Sequence, residues 1–200
     1  RAGVAQVIVA KEHLADGIEK ITVHSPVIAE AAQAGQFVRV LPWADGELIP
    51  LTLADWDTEK GTICLVIQGV GTSSIEINQM AVGDAFAGIA GPLGRPSEIT
   101  AYDPAAETVV FTAGGLGLPP VYPIMREHLR RGNHVTLISG FRSADLLFWT
   151  GDDERVAGLQ KEFGDRIEVI YATNDGTFGV KGFVTTPLQE MLEAMQAGTG

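Results

Sequence analysis

The sequence predicts two domains of different class, an antiparallel β domain followed by an α/β domain with a parallel sheet. Two observations predict this order. Short runs rich in β-branched residues succeed one another up to Gly94, with turn-forming residues between them. From Thr108 onward, strand-like runs alternate with helical ones, which is typical of β-α-β units. The rhythm changes near Pro96, so we expect one domain over residues 1–97 and another over residues 98–200.

Six strands are expected in the first domain. They correspond to the runs GVAQVIVAKEHL, GIEKITVHSP, GQFVRVLP, IPLTLADWD, GTICLVIQGV and DAFAGIAGPLG. Between the fifth and sixth runs, SSIEINQMAVG predicts a short helix with Ser73 or Ser74 near its N-cap. Short strands in series are typical of a small barrel, and we expect an antiparallel Greek-key β-barrel.

Three parallel strands are expected in the second domain. They correspond to the runs TVVFTAG, HVTLISGF and RIEVIYAT. Helices are expected at PPVYPIMREHLRRG, SADLLFW, DDERVAGLQKEFG and VTTPLQEMLEAMQAG. Right-handed crossovers would then give a Rossmann-like parallel sheet. Because three strands make an incomplete doubly wound sheet, we expect natural sequence to continue beyond Gly200.

The composition excludes several functional classes. The 200 residues carry a net charge of −11, which argues against DNA or RNA as a partner, because phosphate binding needs a basic surface. No apolar run reaches the roughly 20 residues of a membrane span, and no signal peptide is expected. The lone Cys64 rules out an internal disulfide and is consistent with a reducing, cytoplasmic location.

A glycine-rich turn follows the first strand of the second domain. Gly114, Gly115 and Gly117 permit positive φ angles and close approach of a pyrophosphate to the backbone. Pro119 or Pro120 is then expected to open the helix, since proline is tolerated in a first turn. The alternative is a glycine-rich turn that serves packing only.

Two further loops follow the second and third strands of that domain. Ligands of open α/β sheets collect at the carboxyl ends of strands, so these loops are candidates for a nucleotide site. Arg142 and Ser143 in the loop after the second strand are expected at an adenosine ribose or its 2′-phosphate, and the loop after the third strand contains the run NDG. The alternatives are a solvated surface arginine and a plain Asx turn.

Two segments of the first domain also suggest a ligand. In IPLTLAD, a proline before an outward-facing threonine suits a strand whose backbone binds a flat ligand. In QGVGTSS, glycine, hydroxyl groups and backbone N–H groups meet at the start of the predicted helix and suit a phosphate. Taken singly, each segment is also compatible with ordinary barrel structure.

Together these segments resemble the ferredoxin–NADP reductase superfamily. The resemblance rests on seven motifs in order: AGQFVRV, IPLTLAD, GVGTSS, GPLG, AGGLGLPPVYPI, GFRSADLL and NDGTFGVKGF. It looks closest to the branch of the NADH-dependent ferredoxin:NADP oxidoreductase (sulfide dehydrogenase) small subunit and the dihydroorotate dehydrogenase electron-transfer subunit. The resemblance implies FAD on the barrel of residues 1–97 and NAD(P)H on residues 98–200, meeting in the interdomain cleft.

The resemblance also implies site residues. Those expected at FAD are Pro50, Leu51, Thr52, Leu53, Gly69, Gly71, Thr72 and Ser73. Those expected at NAD(P)H are Gly114, Gly115, Gly117, Pro119, Arg142, Ser143, Asp175 and Gly176. No catalytic side chain is required, because the cofactors themselves carry out hydride transfer. The four histidines lack metal-ligand spacing, so no metal site is expected within the chain.

Two departures from the family pattern stand out. Many relatives place an arginine before the flavin strand, where this chain has Leu48 and Ile49; backbone donors or a residue such as Arg39 would have to replace it. The nearest relatives also carry a cysteine cluster for a [2Fe–2S] centre, which this protein would hold only if its sequence continues beyond Gly200.

The expected function is an FAD-containing electron-transfer subunit that moves electrons between NAD(P)H and a partner protein. That partner would be a ferredoxin or a larger iron–sulfur flavoprotein subunit in a heteromeric complex. The alternative is a non-catalytic docking module of a larger redox complex that has lost flavin binding, a reading that the missing arginine favours and the two glycine loops oppose.

Overall fold

A computed structural model describes residues 6–151 and 154–197. The chain divides into two compact units. The first contains the residues up to Glu98 together with Tyr122–Ile124, and the second contains Ile99–Val121 and the residues from Met125 onward.

The first unit is built from antiparallel strands. They are β1 (Gln6–Ala15), β2 (Ile18–His24), β3 (Phe37–Leu41), β4 (Ile49–Thr52), β5 (Asp55–Asp57), β6 (Thr62–Gln68), β7 (Ala85–Phe86) and β8 (Gly88–Leu93). Two helices accompany them, α1 (Pro26–Ala31) and α2 (Thr72–Gln79). The strands form a five-stranded sheet in the order β5-β6-β2-β1-β7 and a three-stranded sheet in the order β4-β3-β8. This arrangement confirms the predicted antiparallel barrel domain.

Alternating apolar residues place the core of this unit between its two sheets. Ile21 of β2 and Leu65 of β6 are cross-strand neighbours, and both side chains are fully buried. In the other sheet, Val38 and Val40 are fully buried and belong to the same apolar cluster, whereas Arg39 between them is exposed. Burying a side chain of this size stabilises the fold by about 1.5–3 kcal/mol, so the alternation fixes which face of β3 points outward.

The second unit alternates strands and helices. Its elements are β9 (Thr108–Gly114), α3 (Leu118–Arg130), β10 (His134–Phe141), α4 (Arg155–Phe163), β11 (Ile167–Thr173), β12 (Val180–Lys181) and α5 (Thr185–Ala197). The strands form a parallel sheet in the order β12-β11-β10-β9. Residues 135–141 of the central strand β10 are all buried, as expected where helices cover both faces of a parallel sheet. The predicted Rossmann-like class is confirmed.

The structure differs from the sequence prediction at several elements. Strand β12 was not predicted because it has only two residues, and helix α1, which begins at Pro26, was also missed. The fourth and sixth predicted strands are each divided in two. The predicted helix over SADLLFW is a single 3-10 turn over Ala144–Leu146, because Leu147 is extended and Trp149 has a φ of +64°. The start of DDERVAGLQKEFG and the end of the last predicted helix lie outside the described residues.

No helix among residues 6–151 and 154–197 combines the length and the apolar character needed to cross a membrane.

Candidate functional site

Strand β4 contains Pro50, Leu51 and Thr52 of the first predicted group, with Leu53 directly after it, and it is an edge strand. It pairs with β3 on one side, and within the described residues no strand pairs with its other side. Proline is tolerated at such a position because its missing N–H leaves no ladder bond unmade. Pro50 therefore fits an edge strand without loss of pairing.

The hydrogen bonds around β4 show which of its backbone groups face the open edge. The N–H of Leu53 donates to the carbonyl of Gln36 at 3.1 Å. Backbone N–H and carbonyl groups of successive residues point alternately to the two sides of a strand. The backbone groups of Leu51 and Leu53 therefore point towards β3, and those of Pro50 and Thr52 point towards the open edge. Thr52 thus presents an N–H and a carbonyl, and Pro50 a carbonyl, to a ligand lying along the edge. The side chain of Leu53 is fully buried and serves the core instead.

The second group of predicted residues surrounds the start of α2. Gly71 is the N-cap and Ser74 lies one turn inside, so the predicted cap at Ser73 or Ser74 is wrong by two or three residues. The Ser74 hydroxyl accepts hydrogen bonds from the N–H groups of Val70 and Gly71, both at 3.0 Å. The N–H groups of Thr72, Ser73 and Ser74 belong to the first helical turn and have no partner within the helix. These three groups are the donors that an anion would meet there.

The two groups lie close together. The hydroxyl of Ser73 donates to the Glu47 carboxylate at 3.5 Å, and Glu47 is two residues before the start of β4. The start of α2 and the start of β4 therefore border one surface of the first unit.

The two glycines of this loop have different explanations. A Cβ added to Gly69 would lie 3.3 Å from Cγ1 of Ile75, so packing against α2 accounts for this glycine. Gly71 has an ordinary extended φ of −133°, and an added Cβ would meet nothing within 4 Å. The fold therefore does not require glycine at position 71, and the space above it is open.

In the second unit, the three candidate loops lie together at the carboxyl ends of the parallel strands. Gly140 of β10 is paired with Gly114 of β9 and with Ala172 of β11, so the three strands end side by side. The segments beginning at Gly115, Arg142 and Asn174 follow those ends directly. The structure thus brings the predicted nicotinamide-dinucleotide residues to one edge.

The glycine-rich turn after β9 uses positive φ at one position only. Gly115 has a φ of +50°, whereas Gly114 and Gly117 have ordinary values of −103° and −71°. A Cβ added at Gly114 or Gly115 would meet nothing within 4 Å, and one at Gly117 would meet only the Cβ of Ala113 at 4.0 Å. Gly140 is different, because an added Cβ would lie 2.5 Å from Cγ1 of Val184. Packing therefore does not explain the glycine-rich turn.

The first turn of α3 carries fewer donors than an ordinary helix start. The helix begins at Leu118, one residue before the predicted prolines, and Pro119 and Pro120 have no N–H. The N–H of Leu118 donates to the carbonyl of Gly115. An anion would therefore meet the N–H groups of the Gly115–Gly117 turn, with the partial positive charge of the helix dipole behind them.

The loops after β10 and β11 are held together by hydrogen bonds. The N–H of Ala144 donates to the hydroxyl of Thr177 at 2.9 Å, and that hydroxyl donates to Oδ1 of Asp175 at 2.7 Å. The N–H of Asp175 donates to the carbonyl of Arg142 at 3.3 Å. Thr177 was not among the predicted residues, although the Asp-x-Thr spacing of an Asx turn was a usable signal.

Asp175 and Gly176 are accounted for by this turn. Oδ1 of Asp175 also accepts the N–H of Thr177 at 3.0 Å, and these hydrogen bonds lower the pKa of the carboxyl group. Gly176 has a φ of +78°, and an added Cβ would lie 3.0 Å from the side chain of Lys181. Arg142 is exposed and Ser143 is half-buried, so both are accessible from solvent.

Comparison with known proteins identifies the relatives of this chain. It is 34% identical over 184 residues to a homologue of the dihydroorotate dehydrogenase B (NAD(+)) electron-transfer subunit from Thermotoga maritima, covering 92% of this chain and 60% of that protein. A solved structure of an NADH-dependent reduced ferredoxin–NADP oxidoreductase superposes with a TM-score of 0.82 at 31% identity, over 96% of this chain and 65% of the other. The ferredoxin–NADP+ reductase of Plasmodium falciparum superposes with a TM-score of 0.71 at 13% identity, covering 95% and 80% of the two chains.

The chain has the ferredoxin–NADP reductase fold and is a homologue of the dihydroorotate dehydrogenase B electron-transfer subunit homologue and of the NADH-dependent reduced ferredoxin–NADP oxidoreductase. The resemblance drawn from the seven motifs is therefore confirmed. No protein-family model matches the chain. The chain spans about 60% of the length of the two curated relatives to which it is 34% and 35% identical.

Many ferredoxin–NADP reductase relatives carry an arginine just before the flavin strand. The corresponding positions of this chain, 48 and 49, carry no positive charge. Leu48 is exposed, and Ile49 is half-buried against the barrel core. Among the described residues, no group of three or more histidine, cysteine, aspartate or glutamate side chains could hold a metal ion. Cys64 is buried, and burial raises the pKa of its thiol to about 12.

Proposed function

We propose that this chain is an FAD-containing electron-transfer subunit that moves electrons between NAD(P)H and a partner protein. One observation carries the proposal. Gly71, Gly114 and Gly117 lie at the starts of helices that follow strands, and neither backbone conformation nor packing requires glycine at any of them. Open space above a backbone with free N–H groups suits a phosphate group.

The flavin part of the proposal rests on β4 and α2. The open edge of β4 offers the N–H and carbonyl of Thr52 and the carbonyl of Pro50, a donor and acceptors suited to a flat heterocycle. The first turn of α2 offers N–H groups to the diphosphate, above the open space at Gly71. The residues present therefore fit FAD on the first unit.

The nicotinamide part rests on the sheet edge of the second unit. There the Gly115–Gly117 turn would receive the pyrophosphate, and Arg142 and Ser143 would receive the adenosine ribose or its 2′-phosphate. Thr177 would keep the Arg142 loop in place through its hydrogen bond with Ala144. Asp175 contributes to this site mainly through the turn that it stabilises.

When bound, the two cofactors supply the hydride and electron-transfer chemistry. The chain's own part is to bind and orient them through backbone groups, and no side-chain acid or base is assigned. The partner would be a ferredoxin or an iron–sulfur flavoprotein subunit. A [2Fe–2S] centre would need further cysteines, because Cys64 is the only cysteine of this chain and is buried.

The proposal is tested by loading the purified protein with FAD, removing free flavin by gel filtration and titrating NADH and NADPH without oxygen. We expect retained flavin whose visible absorption bleaches with at least one nicotinamide. A folded chain that retains no flavin would instead support the non-catalytic docking module.

A matched pair of variants tests the flavin loop. In Gly71→Val, the added side chain enters open space at an ordinary φ, so the fold should survive while the affinity for FAD falls. Gly88→Val on β8 is the control, because an added Cβ there also meets nothing within 4 Å. Equal FAD affinity in the two variants would argue against phosphate binding above Gly71.

A further inference from the structure

The proposed flavin site lacks a cation where one would be expected. This inference rests on the proposed function. A diphosphate is doubly negative, the chain itself carries a net charge of −11, and Leu48 and Ile49 bring no positive charge to the start of β4. N–H donors at a helix start supply only about half an elementary charge. The positive charge for a diphosphate would therefore have to come from another element.

Most cations of the first unit are already engaged. The ammonium group of Lys11 donates to the carbonyls of Asn78 and Met80, Lys20 pairs with Glu12, and Lys60 pairs with Asp57. The other two cations among residues 6–98 are Arg39 and Arg95.

These two arginines are exposed, and within the described residues neither forms a hydrogen bond or an ion pair. Both are therefore able to bind an anionic ligand without breaking an existing contact. Their places in the fold distinguish them, because Arg39 lies within β3, whereas Arg95 lies in the segment after β8.

The strand register puts Arg39 beside the candidate flavin strand. Arg39 is opposite Pro50 in the antiparallel pairing of β3 with β4. Since Leu53 and Gln36 form a hydrogen-bonded pair, alternation makes Arg39 and Pro50 a non-hydrogen-bonded pair, with Cα atoms about 4.5 Å apart and side chains on the same face. That face points outward, because Val38 and Val40 on either side of Arg39 are fully buried.

The same surface reaches the start of α2. Pro50 is three residues after Glu47, whose carboxylate accepts the hydroxyl hydrogen bond of Ser73 in the first turn of α2. Residues 47–50 therefore connect the start of α2 with the position opposite Arg39.

We infer that Arg39, reaching across from β3, supplies the positive charge that binds the diphosphate of the flavin dinucleotide. A guanidinium group can hold a phosphate through two parallel hydrogen bonds, and as an unpaired side chain it gives up no other partner to do so. Arg39 thus takes over from the adjacent strand the electrostatic role that positions 48 and 49 do not fill.

The test compares Arg39→Gln with Arg95→Gln. Each variant removes one positive charge, so a general electrostatic effect would be the same in both. Binding of FAD and of riboflavin, which has no phosphate, is measured by flavin fluorescence, and thermal melting followed by circular dichroism checks the fold. We expect Arg39→Gln to weaken FAD binding by about tenfold to a hundredfold, the effect of one hydrogen bond to a charged group, and to leave riboflavin binding unchanged. Arg95→Gln should bind FAD like the wild type.

Three results would overturn the inference while leaving the proposed function intact. These are wild-type FAD affinity in Arg39→Gln, an equal loss for riboflavin and FAD, or an equal loss in Arg95→Gln. If the wild-type chain binds no flavin, the proposed function fails and the role of Arg39 fails with it. An Arg39→Lys variant should recover part of the FAD affinity, because it keeps the charge but not the forked geometry.

Discussion

Replacing Gly114 or Gly117 by alanine should separate the stability of the fold from the binding of a dinucleotide. Both residues have φ angles that alanine adopts without strain, and both have open space where the methyl group would go. We therefore expect each variant to fold normally and to lose affinity for NADH and NADPH. A glycine kept for packing would give the opposite result, a less stable protein.

The size of the stability change follows from the local geometry. At Gly117, with φ −71° and ψ −19°, alanine favours the helical turn by up to about 1 kcal/mol, and the nearest neighbour of its Cβ is the Ala113 Cβ at 4.0 Å. At Gly114, with φ −103° and ψ 121°, the reduced freedom of the unfolded chain contributes about 0.4–1 kcal/mol. The free energy of unfolding should stay level or rise in both variants.

The effect on binding follows from the space that a ligand would occupy. A methyl group forced into a close-packed contact costs typically about 1–3 kcal/mol, which is a loss of affinity between about fivefold and about 150-fold. Isothermal titration calorimetry with NADH and NADPH measures this loss, and urea unfolding measures stability. Wild-type nicotinamide affinity in both variants would refute the reasoning, whatever their stability.

Two other glycines provide controls, because replacing either by alanine should lower the free energy of unfolding. Gly115→Ala forces alanine into a φ of +50°, which costs about 1–2 kcal/mol. Gly140→Ala places a methyl group 2.5 Å from Cγ1 of Val184, and overpacking of this kind costs about 1–3 kcal/mol. If these variants were as stable as Gly114→Ala, the classification of the glycines by space and φ would be wrong.

Three more predictions follow from single side chains. Arg142→Ala should weaken NADPH binding by about 1.5–3 kcal/mol and leave NADH binding unchanged if the guanidinium contacts the 2′-phosphate; calorimetry showing equal losses for both would remove that role. Burial lowers the pKa of His128, whose Nδ1 lies 2.8 Å from the amide nitrogen of Asn133, so the unfolded chain binds a proton that the folded chain resists. The free energy of unfolding therefore carries no penalty from His128 above the ordinary pKa of 6.5 and falls as the pH drops below it. In His128→Gln, the free energy of unfolding measured in urea should fall less steeply on the acid side. Identical slopes in variant and wild type would contradict the assignment. Burial raises the pKa of the Cys64 thiol to about 12, so Ellman's reagent at pH 8 should react with the native protein far more slowly than with the unfolded chain, and equal rates would show that the thiol is accessible.

The class of each domain was predictable because it depends on patterns that lie within short stretches of sequence. Alternation in the run containing Val38 and Val40 fixes the buried face of β3, and the continuous apolar run of β10 indicates a central parallel strand. Short elements were missed because two to six residues are too few to show such a pattern. Strand β12 forms only because residues 180–181 meet the end of β11.

The residues of the candidate sites were predictable in type but not in function, because their roles depend on partners far away in sequence. The open edge of β4 is a property of the sheet order, and the direction of the Thr52 backbone groups follows from a hydrogen bond between Leu53 and Gln36. In the same way, Thr177 matters because it contacts Ala144, which lies 33 positions earlier in the chain.

The glycines show how far a structure can narrow a functional hypothesis without a bound ligand. A glycine costs the folded state about 0.5–1 kcal/mol relative to alanine unless its conformation or its surroundings require it. Packing accounts for Gly69 and Gly140, and a positive φ accounts for Gly115, whereas neither reason applies to Gly114 or Gly117. Open space alone does not indicate a ligand, because Gly88 on β8 also meets neither requirement. Gly114 and Gly117 differ from Gly88 in that each directly precedes a helical turn, where a missing side chain allows an anion to approach backbone N–H groups. Two loops of different sequence, on β6 and on β9, contain such glycines directly before a helix, and a phosphate group is the ligand chemistry that both positions share.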